Sequence, residues 1–145
     1  MEFDKRRAVR GAIAGAVAGA IWAVQQPADV RVFRVDYDDT ALLGKLVTRG
    51  SGWRAIGLAM HVGNSAAFGA IYATVAPSLP LPAWAKGPAA GLAENFASWP
   101  LVTLVDRFHP AKAEMPRLAG NRAALAQATW RHLLFGTLLG ELERR

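Results

Sequence analysis

The chain predicts an all-α fold, a polytopic membrane bundle of about four transmembrane helices forming a single domain over residues 1–145, and three observations carry the prediction. First, Asp, Glu, Lys and Arg are absent from Gly11 to Ala28 and from Ala55 to Ala85, and Gly87 to Val105 holds only Glu94. A hydrocarbon core about 30 Å thick is crossed by about 20 mostly apolar helical residues. Second, these stretches lack the polar stripe that a water-facing helix keeps along one side. Third, glycines recur at four-residue spacing, Gly11, Gly15 and Gly19 early and Gly136 and Gly140 late. In lipid that spacing lets helix backbones approach closely. Overall averages decide less: 52% hydrophobic and 19% charged residues, with mean hydropathy +0.16, would also fit an Ala-rich soluble protein.

The first helix is expected over about residues 8–26, stopped by Pro27. Its basic start (Lys5, Arg6, Arg7, Arg10) also suits a signal peptide, but the uncharged run is longer than a typical signal core, so it is read as a retained helix. The glycine face of this helix is read as packing within the subunit. Residues 27–52 form a polar connection in which Asp39 or Thr40 can cap a short helix bearing Leu42, Leu43, Leu46 and Val47 on one side. That helix lies either on the membrane surface or against the bundle.

The second helix spans about residues 53–75, and Pro77, Pro80 and Pro82 then force a tight turn. The third spans about 84–105 and contains Pro100, which a membrane helix tolerates where neighbours satisfy the freed carbonyl. Residues 106–120 form the second polar connection, and the last helix spans about 121–141. Trp53 and Trp84 fall at helix ends, where interfacial tryptophans collect. An even number of spans puts both termini on one side. The basic cluster before the first helix makes that side cytoplasmic, although basic residues occur in the connections too.

The net charge of +6 and a pI near 10.5 would suggest nucleic acid in a soluble protein. Here the basic residues flank the helices, which favours anionic lipid headgroups, and no nucleic-acid-binding module is present. The lipid bilayer is thus the expected partner, with a homo-oligomer as a further one. Without cysteine there is neither disulfide nor thiol chemistry. No hydrolase elbow, P-loop, dinucleotide fingerprint or zinc-protease helix occurs, so the reading is of a non-enzymatic protein.

The candidate site is the set of polar residues inside the predicted spans. His61, Asn64 and Ser65 share a helix face by their spacing; Glu94, Asn95 and Ser98 lie within one turn; Gln127, Arg131 and His132 sit in the last helix. At about 1.5 Å per residue, His61, Glu94 and His132 reach a common layer open towards the two polar connections. Gln25, Gln26, Asp106 and His109 are placed at its mouth, His109 as a solvent-exposed loop residue.

Three readings stand open. In the first the layer is polar glue, with Glu94 paired to Arg131 and His61, Asn64, Asn95 and His132 bonding across helices. In the second it is a pocket or pathway for a proton, ion or small solute, completed in an oligomer. In the third, His61 and His132 bind haem, or bind a metal together with Glu94; the cofactor itself is unknown.

The order and spacing of several short segments resemble YagU-like bacterial inner-membrane proteins. These are a first helix leading into a proline-containing segment, Met60-His61-Val62-Gly63-Asn64, Trp84 to Gly91, Ser98-Trp99-Pro100, and a last helix with His132 ending in Glu141-Leu142-Glu143-Arg144-Arg145. The positions matched are His61, Asn64, Pro100 and His132. Asn95 stands where a histidine is expected, and the connection between the first two helices is shorter. The resemblance implies a four-span protein of the bacterial cytoplasmic membrane, cytoplasmic termini and a loose link to acid tolerance, with no established reaction.

Overall fold

The structure is a computed structural model, and it describes residues 4–145. Six α-helices dominate it: α1 Lys5–Phe33, α2 Asp39–Val47, α3 Trp53–Val75, α4 Ala83–Ser98, α5 Val102–Phe108 and α6 Arg122–Arg144. Short 3-10 turns link several of them, and no strand occurs among the described residues. The all-α class therefore stands.

α1 is longer than predicted. Asp4 caps its start through Arg7 N–H (3.1 Å), and the helix ends only at Arg34, in left-handed conformation with φ 56°. Pro27 lies inside it and does not stop it. The ring removes one backbone donor and crowds the carbonyl four residues back, but the turn beyond is held from outside by Asp29, which is tied to Gln127 (2.7 Å) and Arg131. α2 is capped by Asp38, not by Asp39 or Thr40: its carboxylate accepts from Ala41 N–H at 2.8 Å. Burial pushes the Asp38 carboxyl up, yet hydrogen bonds from Ala41, Thr40 and Gln26 outweigh it and hold the group below its ordinary range.

α3 has the predicted bounds. The predicted third helix is divided, with a 3-10 turn, Trp99–Leu101, separating α4 from α5. Pro100 sits in that turn, where its missing N–H breaks the α-helical ladder and a tighter turn replaces it. α6 begins after Asn121, which caps it through Ala124 N–H (3.1 Å).

Two glycine seams build the bundle. α1 packs on α3, where a Cβ added at Gly15 would meet the Gly69 Cα at 3.0 Å; α4 packs on α6, where one added at Gly140 would meet the Gly87 Cα at 3.0 Å. Both seams lie within the subunit, as expected for Gly11, Gly15 and Gly19, and Gly136 and Gly140 serve helix packing in the second. α1 also packs on α6, so the long helices run in the order α3–α1–α6–α4, and α4 has no comparable seam with α3. Arg7 Nε meets Glu143 Oε1 at 3.0 Å, which brings the two ends of the described chain to the same end of the bundle.

α2 packs on α3 through Gly44 and Gly57, the bundle-packed alternative, while Leu46 and Val47 stay exposed. The polar connections join over the far end of the bundle. Lys45 Nζ meets Glu114 at 2.8 Å, holding that exposed carboxyl below its ordinary range. Val35, Val102, Leu118 and Ala124 form a small apolar core beneath. A second core, centred on Trp22, Tyr72, Phe135 and Leu139, fills the bundle.

Buried charge and exposed apolar side chains occur together in the bundle. The largest fully buried side chain is Arg131, with Gln127 and Asn95 also fully buried, while Val24 (81%), Val32 (74%) and Trp84 (72%) are among many large apolar side chains left exposed. By length and composition, one helix among the described residues, α1, passes as a membrane span, with hydropathy 1.3 over its best 18-residue window.

Candidate functional site: a buried ionic layer

Arg131 projects from α6 into the bundle. Its Nε donates to Asp29 Oδ2 at 2.6 Å and its Nη2 to Asp29 Oδ1 at 2.5 Å, a bidentate fork. Its Nη1 donates to Asp39 Oδ2 at 2.6 Å. Gln25 and Gln127 each donate to Asp29 at 2.7 Å, and Gln127 also donates to the Val35 carbonyl at 3.1 Å. Trp22 Nε1 donates to Asp39 at 3.2 Å. Tyr37 lays its ring beside the guanidinium, 5.3 Å from ring centroid to Arg131 Cζ. Burial, reinforced by the Asp39 carboxylate, holds the Tyr37 phenol well above its ordinary range. One cation thus faces two carboxylates from α1 and α2, fastening the first polar connection to α6.

Glu94 does not pair with Arg131. Its Oε2 lies 2.5 Å from His132 Nε2, and His132 Nδ1 lies 2.8 Å from the Ala128 carbonyl oxygen. His61 Nε2 donates to the Gly19 carbonyl oxygen at 3.1 Å. The two imidazoles flank Trp22 edge-on, with ring centroids 5.1 and 4.8 Å from the indole.

That geometry corrects the three-ligand metal set of His61, His132 and Glu94. Both imidazoles pack against the same indole, both nitrogens of His132 are engaged, and no group of three or more His, Cys, Asp or Glu converges for a metal ion among the described residues.

The other predicted residues scatter. Asn64 shares no face with His61 in practice: His61 is buried and Asn64 is exposed, since a three-residue step rotates about 60° from full register. Ser65 and Ser98 donate to carbonyls of their own helices, those of His61 and Asn95. Asn95 does bond across helices, donating to Thr129 Oγ1 at 3.1 Å. Gln25 joins the ionic cluster, Gln26 is buried beside α2, and Asp106 caps the Leu118 and Ala119 N–H groups. His109 is buried, not solvent-exposed: its Nε2 donates to the Leu42 carbonyl at 2.9 Å while Nδ1 accepts from Ala111 N–H at 3.1 Å. It is a clamp between the connections, apart from the layer.

Asp29, Asp39, Trp22 and Tyr37 were not in the predicted layer. A helix stopped at Pro27 leaves Asp29 in a loop; continued, the helix sets Gln25 and Asp29 one turn apart on a common face, and that spacing is visible in the sequence. No protein-family model, curated protein or solved structure matches this chain in comparisons with each.

Proposed function

We propose that this chain is a non-enzymatic, multi-pass protein of the bacterial cytoplasmic membrane, crossing it with α1, α3, α4–α5 and α6 and keeping both termini cytoplasmic. The observation that carries the reading is the pairing of buried charge with an apolar exterior: Arg131 and Asp29 have 0% and 1% of their side-chain surface exposed, while Val24, Val32, Ile71, Trp84 and Phe108 face outward. Water would oppose both features, and lipid favours both. α3 and α6 have 23 residues each, or about 34 Å of helix, enough for a hydrocarbon core. The YagU-like resemblance agrees with this reading.

Within it the layer has two parts. Arg131, Asp29, Asp39 and Gln127 assemble the bundle, because each nitrogen of the buried guanidinium donates to a carboxylate. Glu94 and His132 carry a pH- or ion-linked role, because they are ionisable, paired with each other and only partly enclosed. Conduction through so small a bundle calls for a homo-oligomer.

The test of the membrane reading is extraction. The protein should stay with membranes through alkaline carbonate and need detergent to be monodisperse; a monodisperse, folded protein in plain buffer overturns it. The ion-linked role is tested by pH-dependent flux in liposomes, which Glu94→Gln should abolish while folding survives. No flux from the wild-type protein overturns that role.

A further inference from the structure

The contacts of His132 settle where its hydrogens are. The Ala128 oxygen, 2.8 Å from Nδ1, is a carbonyl and can only accept, so Nδ1 carries a hydrogen. The other nitrogen, Nε2, then faces Glu94 Oε2 at 2.5 Å. Two bare lone pairs would repel at that distance, so a single proton lies between them, whether as imidazolium and carboxylate or as imidazole and carboxylic acid. We infer that Glu94 and His132 together form a one-proton binding site. The inference rests on the layer's proposed ion-linked role and names the ion as the proton.

The surroundings set what emptying does. α1 presents Trp22 and Asp29, α2 presents Asp39, α3 presents His61, α6 presents Arg131, and Tyr37 comes from the connection. The only cation among them is Arg131, already shared by two carboxylates. When the proton leaves, Glu94 keeps a negative charge that no neighbour neutralises. Losing the proton cuts one tie between α4 and α6, leaving Asn95–Thr129 in place. Access also differs within the layer: the Glu94 side chain is 39% exposed against 1% for Asp29. His61, whose Nε2 donates to the Gly19 carbonyl, has no carboxylate on that nitrogen and serves as an internal reference.

The experiment is a pH titration of the full chain in detergent micelles or lipid nanodiscs, with nitrogen-labelled histidine and carbon-labelled glutamate read by NMR. Nδ1 of His132 should stay protonated throughout, and one proton should leave in a single step seen at both His132 and a glutamate carboxyl. Glu94→Gln should move the His132 midpoint by about one pH unit or more, a tenfold change in proton affinity, and move His61 far less. Superimposable His132 titrations in wild type and Glu94→Gln overturn the inference, as does loss of the Nδ1 proton first. Should Glu94→Gln not fold, the wild-type protein alone decides, because a His132 step with no matching glutamate step overturns it equally. Failure of the membrane reading shows separately, as solubility without detergent, and failure of the transport role as absent flux with the shared step intact.

Discussion

Arg131 and Asp29 meet in a two-point fork inside the bundle, Nε to Oδ2 at 2.6 Å and Nη2 to Oδ1 at 2.5 Å, with neither side chain reaching the surface. The pair joins α6 to the turn of α1 beyond Pro27, and Asp39 extends it to α2. Removing one member of a buried pair leaves the other charged and unpartnered. Arg131→Met alone should therefore cost about 3–5 kcal/mol. Combining it with Asp29→Leu and Asp39→Asn should recover most of that loss. Denaturant unfolding in detergent measures both, and an Arg131→Met cost below about 1 kcal/mol, the range of surface pairs, would show that the fork adds nothing.

The glycine seams predict opposite outcomes for similar changes. Gly87 has the backbone of Gly136 and Gly140 against it, so Gly87→Val should cost at least about 1–3 kcal/mol by overpacking. Gly63 has nothing within 4 Å of an added Cβ, and Gly63→Ala should be neutral or stabilise by up to about 1 kcal/mol through helix propensity. Thermal unfolding of the two variants side by side checks the α4–α6 seam.

His109 clamps the two connections and lies apart from the layer. His109→Phe removes the bonds to the Leu42 carbonyl and Ala111 N–H and should cost about 1–3 kcal/mol. The His132 titration should be unchanged. A displaced His132 midpoint would place His109 in the layer after all.

Asp38 gives a pH dependence with a definite sign. Hydrogen bonds hold its folded-state value below the ordinary one. Its contribution is therefore present above about pH 4, the unfolded carboxylate value, and is lost as pH falls through the folded value. Asp38→Ala should cost about 1 kcal/mol at neutral pH, as loss of an N-cap does, and should unfold less steeply in acid. Parallel pH-stability profiles for wild type and variant would refute the cap's role.

Much of the fold was legible because it depends on local rules. α3 follows from an uncharged run bounded by Gly52 and a proline-rich turn, and both glycine seams follow from four-residue spacing. The candidate site was half legible. Glu94, Arg131 and His132 stand out as ionisable residues in apolar surroundings, but which acid serves which base does not follow from depth along a helix. Neighbouring positions 131 and 132 point about 100° apart, so Arg131 turns to α1 and α2 while His132 turns to α4 and Trp22.

By itself the amino-acid order determined the all-α class, the bounds of α3 and the glycine faces of α1 and α6, because periodicity and small-residue spacing act within one element. Only the tertiary structure decided that α1 continues through Pro27, that Asp29 and Asp39 take Arg131, and that Glu94 is left to His132. Those outcomes depend on partners distant in sequence: a helix turn weakened by proline persists when its carboxylate is held by Arg131 on α6, and a buried charge pairs with whichever opposite charge the packing brings within hydrogen-bond reach.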